Sequence, residues 1–79
     1  MCIEIVILDR AGSAARVTTK GEIEAVFGPV PGYGEESHEK QCLCPVDLPS
    51  VAEKYGYGIK NGLSSEYDCD FILSPVLRN

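Results

Sequence analysis

Between Ile3 and Leu8 the chain reads IEIVIL, apolar on both alternating faces except at Glu4. A strand sends successive side chains to opposite sides of a sheet, so such a run needs cover on both sides. It predicts a central strand, and everything that surrounds that strand must come from a short chain. With 79 residues there is material for a single compact domain, 1–79, and a domain of that size buries only about 60 % of its unfolded surface. Its core is therefore thin.

The elements that follow can be read from local chemistry. Arg10-Ala11-Gly12-Ser13 has turn character, and Ala14 to Thr19 alternates with Ala15 and Val17 inward, so residues 2–19 predict a β-hairpin. Thr19 with Glu22 three residues on is a capping box, with Ile23, Val26 and Phe27 on one face and Gly28-Pro29 as the stop, which predicts a short helix over 20–27. The competing reading makes Lys20-Gly21 a hairpin turn followed by a strand at Glu22–Ala25; two terminal signals favour the helix. Residues 28–37, GPVPGYGEES, predict an exposed Gly/Pro-rich loop, and His38–Cys44 a short strand. Asp47 as N-cap, Pro49 in the first turn, the stripe Leu48, Val51, Ala52 and Tyr55, and Gly56 as the left-handed stop together predict a helix over 48–55. Lys60-Asn61-Gly62 reads as a turn. Glu66 to Phe71 alternates strictly and predicts a last strand running to Pro75. The fold class that follows is α+β, a small mostly antiparallel sheet of three to four strands with these helices on it.

Four cysteines raise three possibilities. No signal peptide or membrane span is evident, which points to a soluble cytoplasmic protein whose thiols stay reduced, so buried free thiols are expected over two disulfides. Cys42 and Cys44 are too close to bridge each other comfortably. Cys2 and Cys69 look like small apolar side chains in strands. A zinc-stabilised domain using His38, Cys42, Cys44 and Cys69 is the alternative, because the residue types are those of zinc ligands. Its weakness is Cys42-Leu43-Cys44, which has one intervening residue where paired zinc cysteines usually have two or more.

No catalytic set is evident. The single histidine lies among Glu35, Glu36 and Glu39, no nucleophile elbow is present, and no Gly-rich loop follows a strand into a helix with a Lys-Ser/Thr pair. The chain is expected to be non-enzymatic and to carry no cofactor. Twelve acids against seven bases give a net charge of −5, which argues against direct nucleic-acid binding and for a basic partner. On the predicted last strand Glu66, Asp68 and Asp70 would share one face at about 6.6 Å intervals. Glu35, Glu36 and Glu39 form a second acidic group, Glu22 and Glu24 a third, and Tyr33 between two glycines is the candidate interface anchor. A solvated face that keeps a small protein soluble explains the same charges without any partner.

In size, acidity and want of a catalytic set the chain resembles the small inhibitors of phages and mobile elements that mimic nucleic acid and block restriction or CRISPR machinery. The likeness is one of composition. It implies an acidic interaction protein, a monomer or weak dimer without membrane contact, that occupies the nucleic-acid-binding surface of a basic partner through Glu66, Asp68, Asp70, Glu35, Glu36, Glu39 and Tyr33.

Overall fold

Strand β1 (Ile5–Leu8) lies inside a four-stranded sheet and is buried on both faces, with Ile5 and Val6 at 0 % exposure. A computed structural model describes residues 2–30 and 39–76 of the chain. The sheet is mixed and has the order β2-β1-β4-β3. Strand β2 (Ala14–Val17) pairs antiparallel with β1, β4 (Phe71–Pro75) pairs parallel with β1, and β3 (Tyr57–Asn61) pairs antiparallel with β4. Two of these three pairings are antiparallel, in keeping with the expected α+β class. Helix α1 (Lys20–Phe27) follows β2, and a 3₁₀ turn at Pro45–Asp47 leads directly into α2 (Leu48–Tyr55). Among the described residues no helix is long and apolar enough to cross a membrane.

The two faces of the sheet are covered by different means. On one face Ile5, Ile7, Val17 and Leu73 pack with Ile23 of α1, with Leu48, Val51 and Ala52 of α2, and with Val30 and Leu43. Phe27 closes the edge of this core, stacked on Tyr55 at 5.1 Å and edge-on to Tyr57 at 4.9 Å. On the other face Val6 and Ile72 are covered by Cys69, with Leu8 and Tyr67 partly buried beside them. That cover is a loop. Residues 62–70 fold back over the sheet through Ser65 N–H to Gly62 O, Asp68 N–H to Ser65 O, Cys69 N–H to Gly62 O and Gly62 N–H to Asp70 O.

Several local signals act as the sequence predicts. The turn at Arg10–Ser13 forms, with Gly12 at φ +91°, and it is closed by a residue that no sequence pattern flagged, Asp9, whose carboxylate accepts from the Ala11 and Ser13 amides. The Thr19–Glu22 capping box forms in both directions, which decides for the helix over the strand at 20–27. Gly56 ends α2 in the left-handed conformation at φ 74°, its N–H bonded to the Ala52 and Glu53 carbonyls.

Other expectations are corrected. The last strand starts at Phe71 and not at Glu66, because β1 begins at Ile5 and β3 ends at Asn61; ahead of it Cys69 and Asp70 bond to the backbones of Gly62 and Glu4 as part of a loop. Asp68 stands at φ 50°, which breaks any extended run. Residues 57–61 are strand β3 despite the glycines at 56, 58 and 62, and Lys60-Asn61 is strand where a turn is expected. The segment at 39–44 contributes a lone bridge, Thr19 to Cys42, and no strand. There Leu43 is buried and both flanking cysteines are exposed. Asp47 makes no side-chain cap, since the 3₁₀ turn already carries the chain into α2. Of the predicted exposed loop 28–37, Pro29 is exposed and Val30 is buried, and its residues 31–37 lie outside the described ones. Finally, Cys2 and Cys42 are joined in a disulfide with Cα atoms 5.1 Å apart, while Cys44 and Cys69 are free.

That disulfide spans 40 residues of sequence, and closing a loop of this length in the unfolded chain stabilises by about 4 kcal/mol in the chain-entropy account. A 79-residue domain has a total stability of about 4–12 kcal/mol, so the cross-link is a large share of it. Double replacement C2S/C42S is expected to lower Tm by about 15–25 °C in a thermal melt. The loop side of the sheet has its own close point at Gly62, where an added Cβ would meet Cys69 Sγ at 2.5 Å and the Cys69 carbonyl oxygen at 2.8 Å. Gly62→Ala is expected to lose about 1–3 kcal/mol in urea unfolding by overpacking.

Candidate acidic docking end

The strand registers bring distant carboxylates to one end of the sheet. At Ile5↔Val17, Ile5↔Phe71 and Asn61↔Phe71, β1 and β4 begin while β2 and β3 finish. The segments just beyond these pairs leave from that end: Cys2–Glu4, Thr18–Glu22 and, through its backbone bonds to α1, Glu39–Leu43 are tied together there, whereas Gly62–Asp70 folds back over the sheet and brings Glu66 beside Leu8 and Ile72. They carry Glu4, Glu22, Glu39, Glu66, Asp68 and Asp70, against Arg16, Lys20 and Lys40.

Part of this charge holds the chain together. Asp70 Oδ2 accepts the Glu4 N–H at 2.8 Å, and the Glu4 carbonyl accepts the amides of Asp70 and Phe71, so the two segments clasp each other as the parallel pairing of β1 and β4 begins. Arg16 donates through Nη1 to Glu4 Oε1 at 2.7 Å and through Nη2 to the Tyr67 carbonyl, tying the 62–70 loop to β1 and β2. An ion pair this exposed contributes about 0–1 kcal/mol by itself; its part is to position the loop. Glu22 Oε1 accepts the Thr18 amide, the Thr18 hydroxyl and the Thr19 amide. These bonds, led by the Thr18 amide, hold its carboxyl below the ordinary value of 4.5.

The rest of the charge is displayed. Glu39, Glu66 and Asp68 are exposed. Beside α1 lies a shallow groove of about 550 Å³ lined by Thr19, Gly21, Glu22, Glu24, Glu39 and Lys40, three of them carboxylates. A second, of about 540 Å³, runs over the other face of the sheet between Leu8, Lys60, Ser65, Glu66, Tyr67 and Ile72. Leu63, 61 % exposed, stands on the same loop as Glu66 and Asp68. No sequence pattern flagged Leu63 or Glu4. Leu63 is a single apolar residue in a polar turn, and Glu4 reads as an exception inside a strand.

The predicted site residues are thus regrouped. Glu66, Asp68 and Asp70 do not form a row on one strand face; they belong to a looped segment, and Asp70 is committed to the backbone of Glu4. Tyr33, Glu35, Glu36 and His38 lie outside the described residues. The zinc alternative is not assembled: Cys42 is bonded to Cys2, Cys44 is exposed, and Cys69 is buried with its thiol donating to the Phe71 carbonyl. Among the described residues no three His, Cys, Asp or Glu side chains come together as a metal site. No family model, curated protein or solved structure matches the chain.

The division between structural and displayed carboxylates is measurable. Asp70→Ala leaves the Glu4 amide without its acceptor and is expected to lower stability by about 1–3 kcal/mol. Glu66→Gln and Asp68→Asn should stay within about 0.5 kcal/mol of the parent. The contribution of Glu22 has a pH signature. Its folded pKa is depressed, so the stabilisation is complete above pH 4.5 and is lost as pH falls through the lowered value. Glu22→Ala removes it, and the variant's Tm should therefore fall less steeply than the parent's on acidification below that pH.

Proposed function

We propose that this chain is a small acidic, non-enzymatic interaction protein that docks on a basic, nucleic-acid-binding surface of a partner protein. The observation that supports the reading is that four separate segments leaving one end of the sheet all carry carboxylates, with Glu39, Glu66 and Asp68 exposed. Folding accounts for Glu4, Glu22 and Asp70 but gives no reason to add Glu39, Glu66 and Asp68, since like charges repel. Against a basic groove the same arrangement speeds encounter by electrostatic steering and takes the place of phosphates. The exposed members Glu39, Glu66 and Asp68, with Leu63 as an apolar contact among them, are the residues assigned to docking, and Glu35, Glu36 and Tyr33 remain candidates beside them. Anti-restriction and anti-CRISPR inhibitors are the functional class of this kind, and such a partner works in the cytoplasm.

The test keeps the structural carboxylates intact. A tagged parent protein and the variant E39K/E66K/D68N are used to capture proteins from a bacterial extract at low salt, and each retained protein is then rebound in purified form. The parent is expected to retain nucleic-acid-binding proteins that are released by excess duplex DNA and by about 0.5 M salt, where the Debye length falls well below its low-salt value. The variant should bind the same purified partner at least tenfold more weakly with an unchanged melting curve. Equal binding by the variant would sink the acidic-end reading.

A further inference from the structure

The Cys2–Cys42 disulfide joins the two halves of the acidic end. One half is the N-terminal segment, where Glu4 clasps Asp70 and receives Arg16. The other is the segment that carries Glu39, held to the start of α1 and the end of β2 by three backbone bonds: Gly21 N–H to Glu39 O, Lys20 N–H to Gln41 O and Leu43 N–H to Thr18 O, each 3.0 Å. Leu43 is the buried side chain of that segment, with Gln41, Cys42 and Cys44 exposed around it. Lys20 Nζ also donates to Gln41 Oε1 at 3.3 Å and Thr19 bridges to Cys42, and the covalent bond ties this segment to that of Glu4. Cys42 is itself exposed and Cys2 half-buried, so a thiolate in solution reaches the link without prior unfolding.

We infer that the Cys2–Cys42 disulfide is a thiol-operated latch on the acidic end: closed, it holds the Glu39 and Glu4 segments in one docking face, and opened, it lets the Glu39 segment part from the sheet. The inference rests on the docking function proposed for that end. The opening reaction is thiol–disulfide exchange with a low-molecular-weight thiol of the glutathione kind. One thiolate attacks Sγ of Cys42, the sulfur–sulfur bond breaks, and its electron pair leaves on Sγ of Cys2. A second thiol of the reductant then attacks the mixed disulfide, releasing Cys42 as a thiolate and leaving the reductant oxidised as its own disulfide. Two electrons pass from reductant to protein, and the reductant's own disulfide form, by the same exchange in reverse, takes them back as it is reduced to two thiols. Cys44 is exposed two residues from Cys42 and is a competing thiol, whereas Cys69 is buried and takes no part.

The experiment uses the full chain carrying Cys44→Ser, oxidised or reduced with dithiothreitol, at 15 °C, together with C2S/C42S/C44S as a permanently open form. Amide hydrogen exchange and binding of protamine, an arginine-rich polypeptide, at low salt are read on each. In the open forms protection is expected to fall at every amide with the loss of global stability, but the Lys20, Gly21 and Leu43 amides are expected to exchange at least tenfold faster than the amides of β1 and β4, and protamine binding is expected to weaken at least fivefold. Unchanged exchange at those three amides overturns the latch, as does their exchange at the same rate as the amides of β1 and β4, which would show that the loss of the disulfide acts through global unfolding alone. Faster local exchange with equal protamine binding in both states overturns its control of docking. An oxidised protein that does not bind protamine in a salt-sensitive way removes the docking reading itself, and the control of docking with it, whatever the exchange data show.

Discussion

Everything in this small domain is arranged around the burial of β1 on both faces. Ile5 and Ile7 require one apolar layer and Val6 another, and no neighbour in sequence supplies either. The first layer is conventional: two amphipathic helices bring Ile23, Leu48, Val51 and Ala52 onto the sheet. The chain has too few residues to build a second helical layer, so the other face is covered by the 62–70 loop, which lays Cys69 and Tyr67 over Val6 and Ile72. A loop has no hydrogen-bond ladder of its own. It is held instead by turns around Gly62 and Ser65, by the clasp of Asp70 on Glu4, and by Arg16 on the Tyr67 carbonyl.

This solution distributes the acidic residues in two ways. Asp9, Glu22 and Asp70 each accept backbone amides in turns, caps or strand starts, where a carboxylate forms a stronger bond than a neutral acceptor. Glu39, Glu66 and Asp68 are carried outward by the same segments that their neighbours secure. Order among the displayed charges of the loop is therefore a by-product of covering the sheet: the contacts that fix the loop also fix the positions of Glu66 and Asp68. That is why substitution at Asp70 and at Glu66 should have different consequences.

The cross-link belongs to the same economy of size. A thin core leaves little stability in hand, and a bond that closes 40 residues supplies much of it by restricting the unfolded chain. It joins the N-terminal segment, with Cys2 half-buried, to the segment of Glu39, with Cys42 exposed.

The sequence alone determined the elements whose causes are local. The IVIL run demanded a central strand, Thr19 and Glu22 three residues apart made a capping box, and Asp9 with Gly12 and Gly56 at the end of α2 placed turn and stop where single residues have the right conformational freedom. Tertiary structure decided what depends on neighbours. Glycines at 56, 58 and 62 hide β3, which exists because β4 offers it a partner along five residues. The alternation of Glu66 to Phe71 correctly turned Tyr67 and Cys69 inward, yet without a strand alongside the same in–out pattern became a loop. Cys2 and Cys42 met for the same reason. Hydrophobic spacing and cap chemistry are written within a few residues, whereas strand pairing, disulfide pairing and the gathering of carboxylates are settled by which distant segments the sheet brings to the same end.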